Sequence, residues 1–67
     1  MKSVTGAKFC RALAKNGWTH IRTRGSHQTW DKTGYGSVTV PVHSGKDLRQ
    51  GLLSKLLKQT GLTEEDL

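Results

Sequence analysis

Hydrophobic spacing changes twice along this chain of 67 residues, from helical to alternating and back to helical. Near the start, Phe9, Ala12 and Leu13 recur at the spacing of one helix face. Val38 and Val40 then alternate with polar residues, as in a strand that buries one face. A second helical stripe follows, made of Leu48, Leu52, Leu53, Leu56 and Leu57. This order of spacing restricts the chain to a small α+β domain that packs helices on a sheet.

Helix ends are indicated by capping residues. The first helix is predicted over 6–16, with Thr5 accepting a hydrogen bond from an early backbone N–H and Gly17 as the left-handed stop. The second helix is predicted to start at Leu48 or Arg49 and to run to residue 60. Both helices have an apolar face and a basic face, so each is expected to cover a sheet rather than to stand alone.

Three strands are predicted between the helices, over 18–23, 27–31 and 37–42, because these stretches are rich in β-branched and aromatic residues. Glycine-containing turns separate them, which predicts an antiparallel meander. Pro41 has no N–H for a ladder and is expected at a strand end or on an edge. The predicted fold is therefore α-β-β-β-α, a three-stranded antiparallel sheet with both helices on one face, in a single domain over 1–67.

Positive charge is concentrated in most of the chain. The sequence has eleven Lys plus Arg against five Asp plus Glu, a net charge of +6, but three of the acids lie at 64–66. Residues 1–60 contain all eleven basic residues and two acidic ones, a net charge of +9. Such a surface attracts a polyanion, most often nucleic acid, or an acidic protein. The alternative is a solvated surface that serves solubility.

Several function classes are excluded by what the sequence lacks. A single Cys10 cannot build a disulfide framework, and the Cys and His residues do not have zinc spacing. No apolar run spans a membrane, and the first six residues lack the apolar region of a signal peptide, so a cytoplasmic location is expected. Paired carboxylates, a P-loop and a nucleophile elbow are also missing, so no metal and no cofactor is expected.

Histidine chemistry on an anionic substrate remains. An RNA substrate supplies its own 2′-hydroxyl nucleophile, so a small enzyme needs only a base, cations for the phosphate and a proton for the leaving oxygen. His27 is the candidate base, and Arg22, Arg24 and Lys46 are candidate phosphate contacts. Whether His43 meets His27 in space is left open by their separation of 16 residues.

Four segments carry a resemblance to a known family. They are Lys15-Asn16-Gly17-Trp18, Arg22-Thr23-Arg24-Gly25-Ser26-His27, Val38-Thr39-Val40-Pro41-Val42-His43, and the closing stretch 52–62 that contains Leu-Lys-Gln-Thr-Gly-Leu. In this order they cover nearly the whole chain. The sequence resembles the HicA family, the small toxin component of HicA–HicB toxin–antitoxin pairs.

The resemblance implies an mRNA interferase with a fold like that of double-stranded-RNA-binding domains. It also implies that His27, the histidine of Gly-Ser-His, is catalytic, and that a HicB-like antitoxin binds the toxin and blocks it. Many members have a second histidine directly after the first, where this chain has Gln28. Because side chains alternate along a strand, Gln28 is expected on the opposite face, so its presence should not abolish the chemistry.

The expected function is that of a type II toxin that cleaves mRNA without a metal, with His27 as general acid/base. We expect a monomer alone and a hetero-oligomer with the antitoxin. The expected RNA-binding residues are Arg22, Arg24, Ser26, His43, Lys46 and Arg49. Each also has a structural alternative, since turn residues, strand-end histidines and exposed cations are common without any ligand.

Two other functions stay open from the residues alone. One is a non-catalytic module that binds double-stranded RNA by shape. The other is a protein-interaction domain whose basic face meets an acidic partner. The remaining aromatic side chains favour packing: Trp18 and Trp30 are expected in the core, whereas Tyr35 in the second hairpin loop has the exposure to touch RNA.

Overall fold

The predicted order of elements is confirmed in a computed structural model, which describes residues 3–67. Residues 1 and 2 of the expected domain lie outside the described residues. The elements are α1 (Gly6–Lys15), β1 (Thr19–Arg24), β2 (His27–Lys32), β3 (Gly36–Pro41), α2 (Gln50–Thr60) and a short 3-10 helix (Glu64–Asp66). Each strand lies within one residue of its predicted bounds.

Helix α1 is closed at both ends by the predicted residues. The Lys8 backbone N–H donates to Thr5 Oγ1 at 3.1 Å, which caps the N-terminus. Gly17 has a φ of +85°, and the Trp18 N–H donates to the Leu13 carbonyl at 3.0 Å, which closes the last turn. Both ends depend on contacts within six residues, so the local sequence is sufficient to predict where this helix begins and ends.

Helix α2 starts later than predicted, at Gln50 instead of Leu48 or Arg49. The Leu48 N–H donates to the Val4 carbonyl at 2.7 Å, and Thr5 and Asp47 form an isolated antiparallel bridge. Because Leu48 is held in this bridge, its side chain is buried without being helical. No helix within residues 3–67 has the length and apolar character to cross a bilayer.

The three strands form one antiparallel sheet in the order β1-β2-β3. Its inner face meets the helices: Trp30, Val38 and Val40 are buried there. The same core cluster contains Phe9 and Leu13 from α1 and Leu53 and Leu56 from α2. Both helices therefore cover one face, as predicted, and the outer face is left to solvent. Pro41 is the last residue of an edge strand, also as predicted.

Strand β1 contains an irregularity that the sequence did not reveal. The register with β2 shifts between His20, which is opposite Trp30, and Arg22, which is opposite Thr29. Ile21 is the extra residue of this bulge and is 47% exposed. A bulge changes which side chains share a face, so Arg22 lies on the outer face although His20, two residues before it, shares the inner face with Trp30.

The start of α1 lies directly against the end of β3. A Cβ atom at Gly6 would overlap the Pro41 carbonyl oxygen and lie 3.0 Å from Val42 Cα. Gly6 is buried and has no left-handed φ, so glycine is needed there for space alone. This close approach fixes the position of Pro41 relative to α1.

Candidate functional site

The expected catalytic residue stands in a row that crosses all three strands. His27 is paired with Arg24 on β1 and with Pro41 on β3. Side chains directly opposite each other on one face have Cβ atoms about 4.5–5.5 Å apart. His27 and Arg24 are both exposed. An imidazole and a guanidinium are thus neighbours on the outer face, on a sheet whose other face is fixed by the core.

Two further rows complete the outer face. Arg22, Thr29 and Thr39 form the second row, in which the two threonine hydroxyls lie 3.3 Å apart. In the third row, Ser37 Oγ donates to Asp31 Oδ1 at 3.0 Å. Positive side chains therefore lie at the end next to the β1–β2 turn, and the carboxylate lies two rows away. An anion approaching this face is drawn toward His27.

The turn before His27 has a fixed shape. Only Gly25 and Ser26 connect β1 to β2, and Gly25 has a φ of +56°, which favours glycine at the first position of such a loop. The Ser26 carbonyl accepts a hydrogen bond from the Val42 N–H. This bond joins the turn to the residues that follow β3, and so links His27 to the segment that contains His43.

Three expected RNA-binding residues meet at a pocket between the end of β3 and the start of α2, which we call the β3–α2 pocket. Its volume is about 310 Å³. His43, Lys46 and Arg49 are exposed residues on its rim. The other lining residues are Pro41, Asp47, Leu48 and Leu52. The expected site residues thus fall into two groups, one on the outer face with its turn and one around this pocket. Pro41 connects the two groups, because it is the strand partner of His27 and also lines the pocket.

His20 and Gln28 lie away from this site. The His20 ring is 5.2 Å from the ring of Trp30, and its Nε2 lies 2.8 Å from Thr23 Oγ1. Gln28 Oε1 accepts a hydrogen bond from Trp30 Nε1 at 3.3 Å. Gln28 therefore shares the side of Trp30 and not that of His27, as predicted from strand alternation.

The aromatic residues at the far end of the sheet support the fold. Trp18 is buried, as predicted, and its Nε1 has no hydrogen-bond partner among the described residues. The Tyr35 ring lies 5.6 Å from the Trp18 ring, and Lys32 Nζ lies 5.1 Å from the Tyr35 centroid. Tyr35 is 52% exposed but stands at the opposite end of β2 from His27. Trp30 is in the core, as predicted.

Cys10 is a core residue of α1. Burial raises the pKa of its thiol, and the neighbouring Trp30 side chain acts in the opposite direction. Its thiol is therefore a poor nucleophile. Within the described part of the chain, no group of three His, Cys, Asp or Glu side chains is arranged to hold a metal ion.

The apolar floor of the β3–α2 pocket was missed by sequence reasoning. Leu48 and Leu52 are four residues apart and fit the stripe of a buried helix face, so their spacing indicates only packing. For Pro41, the sequence predicts only a position at a strand end or on an edge. Leu48 lines the pocket from outside the helix, where its N–H donates to the Val4 carbonyl, and local spacing cannot reveal this contact.

Comparison with models of known protein families matches residues 6–62 to the HicA toxin of bacterial toxin–antitoxin pairs. The matched range begins at the first residue of α1 and ends just after α2. It contains the three rows of the outer face and every residue of the β3–α2 pocket. Among curated proteins, none matches the chain.

Proposed function

Because the chain belongs to the HicA toxin family, we propose that this toxin is an endoribonuclease that cleaves mRNA and so arrests translation and growth. The observation that carries the proposal is the row Arg24, His27 and Pro41, in which an exposed imidazole stands beside a guanidinium. The core behind the sheet holds the strands that present both groups. Such positioning is what general acid–base chemistry requires.

The reaction follows from the groups in this row. His27 accepts the proton of an RNA 2′-hydroxyl, and the 2′-oxygen attacks the adjacent phosphorus. The bond from phosphorus to the 5′-oxygen of the next nucleotide breaks, and that oxygen takes a proton from solvent or from His43. The products are a 2′,3′-cyclic phosphate and a 5′-hydroxyl. Arg24 stabilises the negative charge that develops on the phosphate. The proposed reaction therefore needs no metal or cofactor.

We assign substrate binding to both groups of expected RNA-binding residues. Arg22, Arg24 and Ser26 would hold the backbone on the outer face and in the turn. The remaining residues border the β3–α2 pocket, and they are His43, Lys46 and Arg49. Contacts of this kind are mostly to phosphate, so they give affinity that falls steeply with salt.

A HicB-like antitoxin is the proposed protein partner. An inhibitor that carries acidic groups would cover the same cations that hold RNA, and charge of opposite sign would speed its association. We propose that the toxin is a monomer alone, forms a hetero-oligomer with the antitoxin, and acts in the cytoplasm, where its mRNA substrate is translated.

The decisive experiment compares His27→Ala with His20→Ala. General acid–base catalysis contributes about 10²–10⁴-fold, so cleavage should fall by that factor in His27→Ala and arrest of growth should be lost. His20 is also an exposed histidine of the sheet but lies on the other face, which makes His20→Ala the matched control. Cleavage by the parent should continue in EDTA and leave 2′,3′-cyclic ends. Equal rates for His27→Ala and the parent would refute the proposal.

A second candidate is a non-catalytic module that binds double-stranded RNA. The α-β-β-β-α order and the basic residues favour it. Such modules span about 16 base pairs and read shape and 2′-hydroxyls. A gel-shift assay with duplex and single-stranded RNA separates the two functions, because tight duplex binding without cleavage would favour the module.

A further inference from the structure

We propose that the β3–α2 pocket binds one base of single-stranded RNA, next to the phosphate that is cleaved at His27. The inference rests on the proposed nuclease function for the identity of the ligand. The basic residues alone would bind only the phosphates of the RNA, whereas this pocket would also bind a base. Three features of the pocket lead to this ligand: its floor, its charges and its position.

The floor of the pocket is apolar. Leu48 is buried, Leu52 and Pro41 are half-buried, and all three line the cavity. The volume of about 310 Å³ is at the lower end of the range of about 300–1,000 Å³ for small-ligand pockets. A flat ring of nucleobase size can cover such a surface and remove it from water.

The charges around the pocket are of both signs. His43, Lys46 and Arg49 supply hydrogen-bond donors and positive charge, whereas Asp47 supplies a carboxylate. A carboxylate repels a bare phosphate, but it accepts hydrogen bonds from the N–H groups at the edge of a base. A nucleotide combines an anionic phosphate, an apolar ring face and a donor edge, and so matches all three kinds of lining group.

The position of the pocket connects it to the outer face. Pro41 lines the pocket and is also the strand partner of His27. Paired residues of an antiparallel sheet have Cα atoms about 4.5–5.5 Å apart. An RNA strand with a phosphate at His27 therefore passes the mouth of the pocket. A base can enter it only when it is unstacked, which favours single-stranded RNA over a duplex.

The test uses NMR of the whole chain, with the methyl groups of Leu48 and Leu52 as reporters. The probes are the four nucleoside 3′-monophosphates, with ribose phosphate and inorganic phosphate as base-free anions. We expect saturable shifts of both leucines with at least one nucleotide, and binding of the base-free anions that is about tenfold weaker. Equal binding of ribose phosphate would overturn the inference. Equal binding of a hexaglutamate peptide would also overturn it and would indicate a protein-docking surface.

A pair of variants tests the same point without a small ligand. Leu52→Phe fills the pocket, whereas Leu57→Phe enlarges another half-buried leucine of α2 that does not line it. We expect nucleotide binding to fall about tenfold in Leu52→Phe and to be unchanged in Leu57→Phe. Equal binding by the two variants would contradict the inference.

Cleavage is measured separately, so the two proposals fail in distinguishable ways. If the parent binds nucleotides at Leu48 and Leu52 but does not cut RNA, the nuclease function is wrong and the base-binding site stands. If the parent cuts RNA but nucleotides leave both leucines unshifted, the base-binding site is wrong and the nuclease function stands.

Discussion

The two faces of the sheet use the same strands for different purposes. On β2, Trp30 points into the core between the helices, whereas His27 and Thr29 belong to the outer rows. The inner face is apolar and covered, and the outer face carries the cations and the imidazole. Because neighbours along one strand face opposite ways, the residues of the core and those of the proposed site are separated by a single residue step. Substitutions on the inner face should therefore lower stability, whereas substitutions on the outer face should mainly change binding, wherever they lie in the chain.

The largest expected effect is on the inner face. Trp30→Ala removes a buried indole from the core and should lower the free energy of unfolding by about 3–5 kcal/mol. This is a large part of the total stability of a small domain. Urea denaturation measures it, with Arg22→Ala on the exposed outer face as the control, expected within about 0.5 kcal/mol. A loss below 1 kcal/mol for Trp30→Ala would show that the inner face is not what holds the domain together.

A smaller effect, on binding and not on folding, is expected on the outer face. Arg24→Glu should weaken binding of RNA and of the antitoxin about tenfold and lower the slope of log affinity against log salt by about one. The free energy of unfolding should change by no more than about 0.5 kcal/mol, because Arg24 is exposed.

Arg11→Glu is the matched control for this charge reversal, since Arg11 is exposed on α1 and outside the sheet. It should leave the salt dependence of both complexes nearly unchanged. If Arg24→Glu left antitoxin binding and its salt dependence intact, RNA and antitoxin would not share the outer face.

The smallest effect is expected at Thr29, where an outer-face side chain is as buried as those of the inner face. Thr29 is an outer-face residue but is only 7% exposed, and its hydroxyl lies 3.3 Å from that of Thr39. Thr29→Val keeps the β-branched shape and removes this hydrogen bond, which should cost about 0.5–1.5 kcal/mol of unfolding free energy. Urea denaturation and a cleavage assay together check this. A fall in cleavage without loss of stability would place Thr29 in contact with substrate.

Most of the fold could be predicted because its signals are local. Thr5 and Gly17 bound α1 through contacts within six residues, and alternation placed Trp30 and Gln28 on one side of β2. The features that could not be predicted depend on residues far apart in sequence. The bulge at Ile21 needs the pairing of two strands, and the late start of α2 needs the bond between Leu48 and Val4.

The candidate site also has one part that the local sequence predicts and one part that depends on distant contacts. A turn of two residues puts Arg24 opposite His27, so the short sequence around Gly25 already suggests that neighbourhood. The grouping of His43 with Lys46 and Arg49 around an apolar floor depends on the loop after β3, whose path is set by distant contacts. Sequence spacing can list these three residues, but it cannot tell that they border a pocket.

The contact between Gly6 and the Pro41 carbonyl has a genetic consequence. Every glycine codon becomes an alanine codon by one base change, and the added methyl group would have to displace the end of β3, where the partner of His27 stands. A selection for cells that survive toxin production should therefore yield substitutions at Gly6 as well as at His27. The first kind would lower the amount of folded protein, and the second would leave a folded chain that still captures antitoxin.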